Sequence, residues 1–209
     1  MIIHTNLMNE YRDGIYERTF TQFLKSYMGQ GRIRGIEIGV LEGRNAIAML
    51  RACPNIAELT LIDPYLSYSG YCGRRSKSQQ VSLDTAKSTM HKNTLPYRDR
   101  VHYILEKSSN AVGQLHGLYD FVYIDGNHSK EYVLSDISLY LPFIKPLGII
   151  GGNDFLLSGD QKYMEVGGAV RELCERVQLD IYVGGDEYAD WWFINPGNLR
   201  VINGECRKC

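Results

Sequence analysis

The 209-residue sequence has no surplus of charge of either sign, because 23 Lys and Arg residues stand against 24 Asp and Glu residues. This balance disfavours nucleic acid as a partner, since phosphate recognition needs an excess of basic side chains. There is also no apolar run of transmembrane length and no basic segment leading into an apolar one, so we expect neither a membrane span nor a signal peptide. The five cysteines are odd in number and scattered, which is a poor disulfide framework and favours a cytoplasmic location. Cys206 and Cys209 form a lone C-x-x-C pair without the two further ligands that zinc needs.

Two common phosphate-binding motifs are missing as well. Residues 35–44 read GIEIGVLEGR, which does not fit G-x-G-x-x-G, and no G-K-[ST] follows. Gly39 and Gly43 permit a tight turn and a close approach of backbone to ligand, while Glu37 supplies a carboxylate just below that turn. An acidic, glycine-lined turn suits a positively charged ligand better than a pyrophosphate.

Apolar runs rich in β-branched and aromatic residues alternate with helical patterns along most of the chain. This order is typical of βαβ units and predicts an α/β fold, a Rossmann-like doubly wound sheet of seven strands. We expect the sheet to be mostly parallel, with helices on both faces and an antiparallel C-terminal hairpin. The predicted strands cover residues 33–40, 58–63, 101–106, 119–125, 148–153, 181–183 and 191–194. The predicted helices cover residues 44–51, 81–92, 110–115, 130–144 and 164–177, with one or two more across 11–28.

The length of the chain predicts a single domain. We divide it into an N-terminal helical cap (1–32), a core (33–196) and a C-terminal tail (197–209). Residues 65–80 form a connection rich in Tyr, Ser and Gly, and long connections of this kind are usually functional or mobile. Its tyrosines Tyr65, Tyr68 and Tyr71 either form an aromatic wall of an acceptor pocket or are ordinary loop residues.

Acidic or amide residues end three of the predicted strands, at the edge where open α/β sheets bind ligands. Asp63 ends the second strand and suits the two hydroxyls of a ribose. Asp125 ends the fourth strand, and Asn153 and Asp154 end the fifth. If these two strands pair, their ends lie roughly 5 Å apart, and one hard cation such as Mg²⁺ would bridge them. The alternative is that Asp63, Asp125 and Asp154 only cap turns or helices.

His128 follows Asp125 by three residues, on a predicted loop. An ordinary histidine pKa near 6.5 would let it accept a proton from an acceptor hydroxyl at neutral pH. A surface loop residue without a function fits the pattern equally well.

Four segments in the same order along the chain resemble class I S-adenosylmethionine-dependent methyltransferases. They read EIGVLEG at 37–43, LIDP at 61–64, IDGNH at 124–128 and KPLGIIGGND at 145–154. The most similar subgroup is the methyltransferase domain 24 type, akin to macrocin O-methyltransferase and more distantly to catechol O-methyltransferase. The resemblance covers roughly residues 33–195 and is more specific than any one motif.

The resemblance implies a binding site for S-adenosylmethionine. Glu37, Gly39 and Gly43 would line the methionine part of this cofactor, Asp63 would bind its ribose, and Ser108 would lie near its adenine.

The resemblance also implies a catalytic centre beside the cofactor. Asp125, Asn153 and Asp154 match divalent-metal positions, Asp125 also borders the cofactor, and His128 matches a histidine that serves as base in some relatives, with Asp125 as the other candidate base. Three positions depart from the family pattern. Arg44 and Asn45 stand where small hydroxyl residues are common, Leu147 replaces a usual glycine, and Asn153 replaces a frequent acid, which leaves two carboxylates for the metal.

The implied activity is methyl transfer to a small-molecule acceptor, at a hydroxyl and with divalent-metal assistance. Two alternatives remain: a metal-independent N-methyltransferase, and a catalytically silent cofactor-binding module of the same fold. A nicotinamide dehydrogenase is more distant because of the glycine spacing. We expect no nucleic acid and no membrane as partner, and a homo-oligomer stays open.

Overall fold

The computed structural model describes residues 1–12, 14–67, 77–156 and 165–208, with side chains described throughout except at 12 and 77–81. Three residues that the sequence singled out, Tyr68, Tyr71 and Cys209, lie outside these ranges. Cys53, Cys174 and Cys206 are buried free thiols. In the described part of the chain, no helix combines the length and the apolar character needed to cross a membrane.

The described residues form six α-helices, twelve strands and three one-turn 3-10 helices. The α-helices are α1 (Thr19–Tyr27), α2 (Arg44–Ala52), α3 (Lys77–Thr94), α4 (Ser108–Ala111), α5 (Lys130–Tyr140) and α6 (Glu165–Val177). The strands are β1 (Ile2–His4), β2 (Glu10–Arg12), β3 (Ile15–Glu17), β4 (Ile33–Ile38), β5 (Ile56–Ile62), β6 (Val101–Ile104), β7 (Tyr119–Ile124), β8 (Ile144–Leu156), β9 (Ile181–Gly184), β10 (Tyr188–Ile194), β11 (Leu199–Ile202) and β12 (Glu205–Lys208). The 3-10 helices are Leu95–Tyr97, Val112–Gln114 and Leu141–Phe143.

The central sheet confirms the predicted fold class. Its strand order is β1-β9-β10-β8-β7-β4-β5-β6, and β10 runs antiparallel to both of its neighbours while the other pairs are parallel. Among the described residues the sheet has eight strands rather than the predicted seven. The additional strand is β1, which pairs in parallel with β9 and is too short for its periodicity to be recognised.

Helices cover both faces of the sheet, as predicted. Successive side chains of a strand point to opposite faces, so Phe121 and Tyr123 of β7 pack with α1, α2 and α3, whereas Val122 and Ile124 pack with α5 and α6. All four side chains are at most 4% exposed. The apolar character of β7 on both sides therefore follows from its central place between two helical layers.

The prediction of helix across residues 11–28 is wrong for its first part, and the first 32 residues are not simply a helical cap. Strands β2 and β3 pair as a hairpin, and the turn between them includes Gly14 at φ +77°. Helix α1 begins only at Thr19. Its first turn is capped by Asp190 of β10, which accepts hydrogen bonds from the Phe20 backbone N–H (2.9 Å) and the Thr19 hydroxyl (3.1 Å).

The segment 197–209, predicted as a tail, contains a second hairpin. Strands β11 and β12 pair in antiparallel fashion. Leu199 and Cys206 from these strands are buried in the core on the α5 and α6 side of the sheet. The hairpin is thus packed onto the domain.

Candidate active site

A cavity of about 720 Å³ lies at the carboxyl ends of β4, β5 and β7. The start of α4, the inner face of α5 and the residue before α1 complete its walls. Six of the residues singled out from the sequence line it together: Glu37, Gly39, Asp63, Ser108, Asp125 and His128. Gly43 is not among its lining residues in the described part of the chain, and Asp154 adjoins it through His128.

The glycines of the turn after β4 are needed for the turn itself. Gly39 has φ +81°, and a Cβ there would lie 2.1 Å from the backbone oxygen of Asp125. Gly43 has φ +75°, immediately precedes α2, and would place a Cβ 3.2 Å from the Met90 side chain. The absence of a side chain therefore allows the Asp125 backbone to approach Gly39 and helix α3 to approach Gly43. Gly39 brings the ends of β4 and β7 together at the cavity, whereas Gly43 packs α2 against α3.

Asp63 holds the same turn in place. One of its carboxylate oxygens accepts hydrogen bonds from the backbone N–H groups of Val40 (2.9 Å) and Leu41 (3.0 Å), and the other accepts one from Tyr65 (2.8 Å). A carboxylate offers about four lone-pair positions. These contacts leave about one lone-pair position for a further hydrogen bond, and the assignment of Asp63 to the ribose remains a prediction.

Glu37 carries a buried carboxyl oxygen that lacks a partner. The side chain is 1% exposed, Asn45 donates a hydrogen bond to Oε1 (3.0 Å), and Oε2 has no hydrogen-bond partner among the described residues. Burial raises the pKa of Glu37 to about 8, although the hydrogen bond from Asn45 opposes this shift. A buried acceptor of this kind is costly unless a ligand satisfies it.

The far end of the cavity contains Ser108 and Asp136. The Ser108 backbone oxygen accepts a hydrogen bond from the Tyr140 hydroxyl (2.9 Å), and its side chain is hydrogen-bonded to Asp136. Burial raises the pKa of Asp136 to about 6. The sequence does not assign Asp136 a role, but one signal is there: it is a charged residue on the face of α5 that carries Val133 and Ile137.

Asp125, His128 and Asp154 form a cluster beside the cavity. One possible ligand atom from each lies within 4.8 Å of the others. The imidazole lies between the carboxylates, with Nδ1 3.0 Å from Asp154 and Nε2 3.6 Å from Asp125. The pairing of β7 with β8 brings the two acids together, as the sequence predicts.

A β-bulge aims Asp154 at this cluster. The register between β8 and β10 shifts so that Asn153 and Asp154 together face Asp190. Asp154 adopts φ +62°, which is strained for a residue other than glycine. Bulges re-aim side chains next to functional sites, so without this one Asp154 would follow the ordinary alternation of the strand.

The charge of His128 differs from the sequence expectation. The neighbouring carboxylates of Asp125 and Asp154 raise its pKa to about 10. While both carboxylates face the ring, the imidazole holds its proton at neutral pH. The expectation of a neutral base, which used the ordinary histidine pKa, does not hold for this arrangement because two acids stabilise the cation.

Asn153 supports the cluster from within the strand. Its amide donates a hydrogen bond to Asp154 Oδ1 (3.1 Å), while its own Oδ1 is buried without a partner among the described residues. Two carboxylates and a neighbouring free amide oxygen are the donor set that a hard cation prefers. The chemistry of the cluster therefore fits Mg²⁺, and the assignment of Asn153 as a ligand remains a prediction.

Arg18 is a cavity residue that the sequence does not single out. It directly precedes α1, its side chain is 21% exposed, and it lines the cavity near Asp125, at 3.7 Å. Nothing in the local pattern marks it, because Asp190, 172 residues away, holds the guanidinium there.

Comparison with solved structures identifies a shared fold. TomG from Streptomyces achromogenes, an O-methyltransferase involved in tomaymycin synthesis and solved with S-adenosylmethionine, is 14% identical with a TM-score of 0.60, over 85% of this chain and 78% of TomG. The cofactor-bound protein Rv0187 from MTB is 17% identical with a TM-score of 0.62, over 90% of this chain and 85% of its own. An O-methyltransferase from Bacillus cereus, solved with S-adenosylhomocysteine, is 15% identical with a TM-score of 0.56, over 83% and 78%.

The sequence comparison with protein families is more specific than these likenesses. No curated protein matches the chain. A family model described as "Methyltransferase domain" matches residues 36–155, which is more than half of the chain and extends from within β4 to within β8. The chain therefore belongs to the methyltransferase domain family of type 24, one of the class I S-adenosylmethionine-dependent methyltransferases.

Proposed function

We propose that this protein transfers a methyl group from S-adenosylmethionine to a hydroxyl of a small molecule, with the assistance of a divalent cation. One observation carries the proposal: a cavity at the carboxyl edge of the sheet contains an unsatisfied buried carboxyl, Glu37, and ends at the acid cluster of Asp125 and Asp154. S-adenosylmethionine supplies an electrophilic methyl group on a positively charged sulfur. Carboxylates in the cavity complement the positive charges of this cofactor.

The residues around the turn after β4 are suited to hold the cofactor. Glu37 offers an acceptor for the ammonium of its methionine part, and Gly39 keeps the base of the turn narrow. Asp63 positions the turn and retains one acceptor position for a ribose hydroxyl. Ser108 and Asp136 at the other end are polar partners for an adenine.

The acid cluster is suited to hold the cation and to accept a proton. Asp125 and Asp154 would be its carboxylate ligands and Asn153 a carbonyl ligand. A divalent cation lowers the pKa of a hydroxyl bound to it. Asp125 lies where it can take the proton that an acceptor hydroxyl loses. His128 would take it only with a cation on the two carboxylates, because their pairing with the ring keeps the imidazole protonated. The main task of the remaining residues is alignment, because methyl transfer needs the nucleophile in line with the methyl group.

A metal-independent methyltransferase is the second candidate. The observation in its favour is that Asp125 and Asp154 already have cationic neighbours, since His128 lies between them and Arg18 lies 3.7 Å from Asp125. In this alternative the two acids shape the pocket and orient the imidazole, and the acceptor atom is a nitrogen.

Thermal shift with S-adenosylhomocysteine, NAD and ATP, each with and without Mg²⁺, tests cofactor choice. At a hundredfold excess over Kd, a ligand adds about 2.7 kcal/mol of stability, which corresponds to roughly 5–10 °C for a domain of this size. Of the three ligands, we expect only S-adenosylhomocysteine to produce this shift. A response to NAD and not to S-adenosylhomocysteine would overturn the proposal.

Substitution of the acid cluster tests the metal-assisted mechanism. With labelled S-adenosylmethionine and a panel of small phenols, alcohols and amines, we expect Asp154→Ala to lower turnover by on the order of 1,000-fold, because the acceptor hydroxyl loses its activating site. Binding of S-adenosylhomocysteine should persist. The matched control is Asp99→Ala, which removes an acid that is 92% exposed and far from the cluster in the fold. Turnover of an amine that EDTA leaves unchanged would favour the metal-independent enzyme, and cofactor binding without turnover of any acceptor would favour a silent binding module.

A further inference from the structure

Arg18 is held at the cavity by weak contacts. Its Nη1 donates to Asp190 Oδ1 at 3.4 Å, and its Nη2 lies 3.7 Å from Asp125 Oδ2. Charge-assisted hydrogen bonds between guanidinium and carboxylate are usually about 2.7–2.9 Å long. A guanidinium has five N–H donors, and one hydrogen bond to a described residue leaves most of them unused at the cavity wall.

Asp190 has hydrogen-bond donors besides Arg18. This buried carboxylate accepts shorter hydrogen bonds from the Tyr123 hydroxyl (2.7 Å), the Phe20 backbone N–H (2.9 Å) and the Thr19 hydroxyl (3.1 Å). These three donors satisfy it and fix the start of α1. Asp190 therefore positions the Arg18 guanidinium through one hydrogen bond. The remaining N–H donors of the guanidinium are available to a ligand.

An unsatisfied carboxyl group in the same cavity has the opposite character. Glu37 Oε2 is buried without a described partner, lines the same cavity and interacts electrostatically with Arg18. An acceptor and a donor group thus line the same cavity and interact electrostatically across it. An α-amino acid presents a matching ammonium and carboxylate on one carbon atom.

We propose that Arg18 binds the carboxylate of the methionine part of S-adenosylmethionine, as the counterpart of Glu37 at the ammonium. The inference rests on the proposed function, since it concerns the same cofactor site. Its physical content is charge complementarity: a zwitterion is held by one buried acid and one always-charged base. Arg18 would then make the site selective for the intact amino acid over cofactor fragments that lack it.

Three nucleosides separate this role from other roles of Arg18. S-adenosylhomocysteine carries both charged groups, its decarboxylated analogue keeps only the ammonium, and 5′-methylthioadenosine has neither. Isothermal titration of the wild type, Arg18→Gln and Arg18→Lys with each ligand gives the comparison. For Arg18→Gln we expect roughly 10- to 100-fold weaker binding of S-adenosylhomocysteine, the loss of one charge-assisted pair. Binding of the other two ligands should stay within about threefold, because neither offers a carboxylate.

The controls guard against a merely structural effect. Arg98 is 73% exposed and is not among the described residues that line the cavity, so Arg98→Gln should leave all three affinities unchanged. Unaltered binding of 5′-methylthioadenosine to Arg18→Gln shows that the cavity is still folded. Arg18→Lys should recover part of the lost affinity.

Two results would overturn the inference and one would remove its basis. Equal losses for S-adenosylhomocysteine and its decarboxylated analogue would mean that Arg18 shapes the pocket or neutralises Asp125. No loss for any ligand would assign Arg18 to the acceptor or to the fold alone. If the wild type binds none of the three nucleosides, the proposed function fails and the role of Arg18 fails with it.

Discussion

Charged side chains lie at both the amino and the carboxyl ends of the parallel strands, but their pairing differs between the two ends. At the amino end, Arg34 of β4 donates two hydrogen bonds to Glu58 of β5 (2.6 and 3.0 Å) and its guanidinium lies over the Tyr119 ring. Asp120 accepts hydrogen bonds from the Arg34 backbone N–H and from Lys145, both at 2.8 Å. These charged groups are paired at short distances by residues of the same sheet.

At the carboxyl end, two groups, the Glu37 Oε2 atom and the Arg18 guanidinium, lack such short partners among the described residues. Glu37 has one oxygen without a described partner, and the contacts of Arg18 with acids are 3.4 and 3.7 Å long. The amino end therefore resembles a completed structural network, whereas the carboxyl end has donors and acceptors left for a ligand. Unsatisfied polar groups cost stability and are kept where function needs them.

The largest effect that would sharpen this contrast is the pH dependence of binding through Glu37. Burial raises its pKa to about 8, so the ligand-free protein holds a proton on this carboxyl at neutral pH. Pairing with an ammonium requires the ionised form. As pH falls from 8 to 6, we expect the affinity for S-adenosylhomocysteine to fall about 10-fold per unit, with release of a proton on binding. Titration calorimetry in two buffers of different ionisation enthalpy measures both quantities.

The control for this effect is a ligand without the ammonium. Between pH 8 and 7, above the pKa of about 6 of Asp136, binding of 5′-methylthioadenosine should not depend on pH, and Glu37→Gln should abolish the slope for S-adenosylhomocysteine. A flat profile for the wild type would show that Glu37 does not meet the ammonium, and the contrast between the two ends would lose its main support.

An intermediate effect is expected at the amino end. Glu58→Ala leaves the part-buried Arg34 without its bidentate partner, which should lower the free energy of unfolding by about 1–3 kcal/mol. Chemical denaturation measures this loss, and cofactor affinity should be unchanged. The matched variant is Glu172→Ala, which breaks an exposed ion pair with Lys130 and should have a smaller effect because water screens that pair. Weaker cofactor binding by Glu58→Ala would break the division between the two ends.

The smallest effect tests whether backbone strain by itself marks the functional end. Leu147 lies near the amino end of β8 with φ +65° and is 64% exposed. A glycine would adopt this conformation without strain. We expect Leu147→Gly to raise the free energy of unfolding by about 0.5–1 kcal/mol, since the relief of strain exceeds the entropic cost of glycine. Thermal unfolding measures the gain, and unchanged cofactor binding would show that strain at this end is not functional. A loss of stability would mean that the leucine side chain contributes more by packing than its conformation costs.

Much of the site could be predicted because it depends on strand order. Asp125 and Asp154 follow neighbouring parallel strands, and the carboxyl ends of such strands meet at one edge of the sheet. The alternation of apolar and helical patterns was sufficient to place β4 to β8 and the helices between them. Short strands such as β1 and the hairpin β2–β3 escaped, because three residues carry too little periodicity to compete with a helical interpretation.

The sequence by itself determined the fold class, the family and the acids at the sheet edge, since these follow from local periodicity and from short motifs. Only the tertiary structure decided which partners the charged side chains have. It committed most of Asp63 to the backbone of a turn, placed His128 between two carboxylates, and used Asp190 to bring Arg18 into the cavity. The reason is physical: the charge state and the free hydrogen-bonding capacity of a buried group depend on its neighbours in space, and here several of those neighbours are distant in the chain.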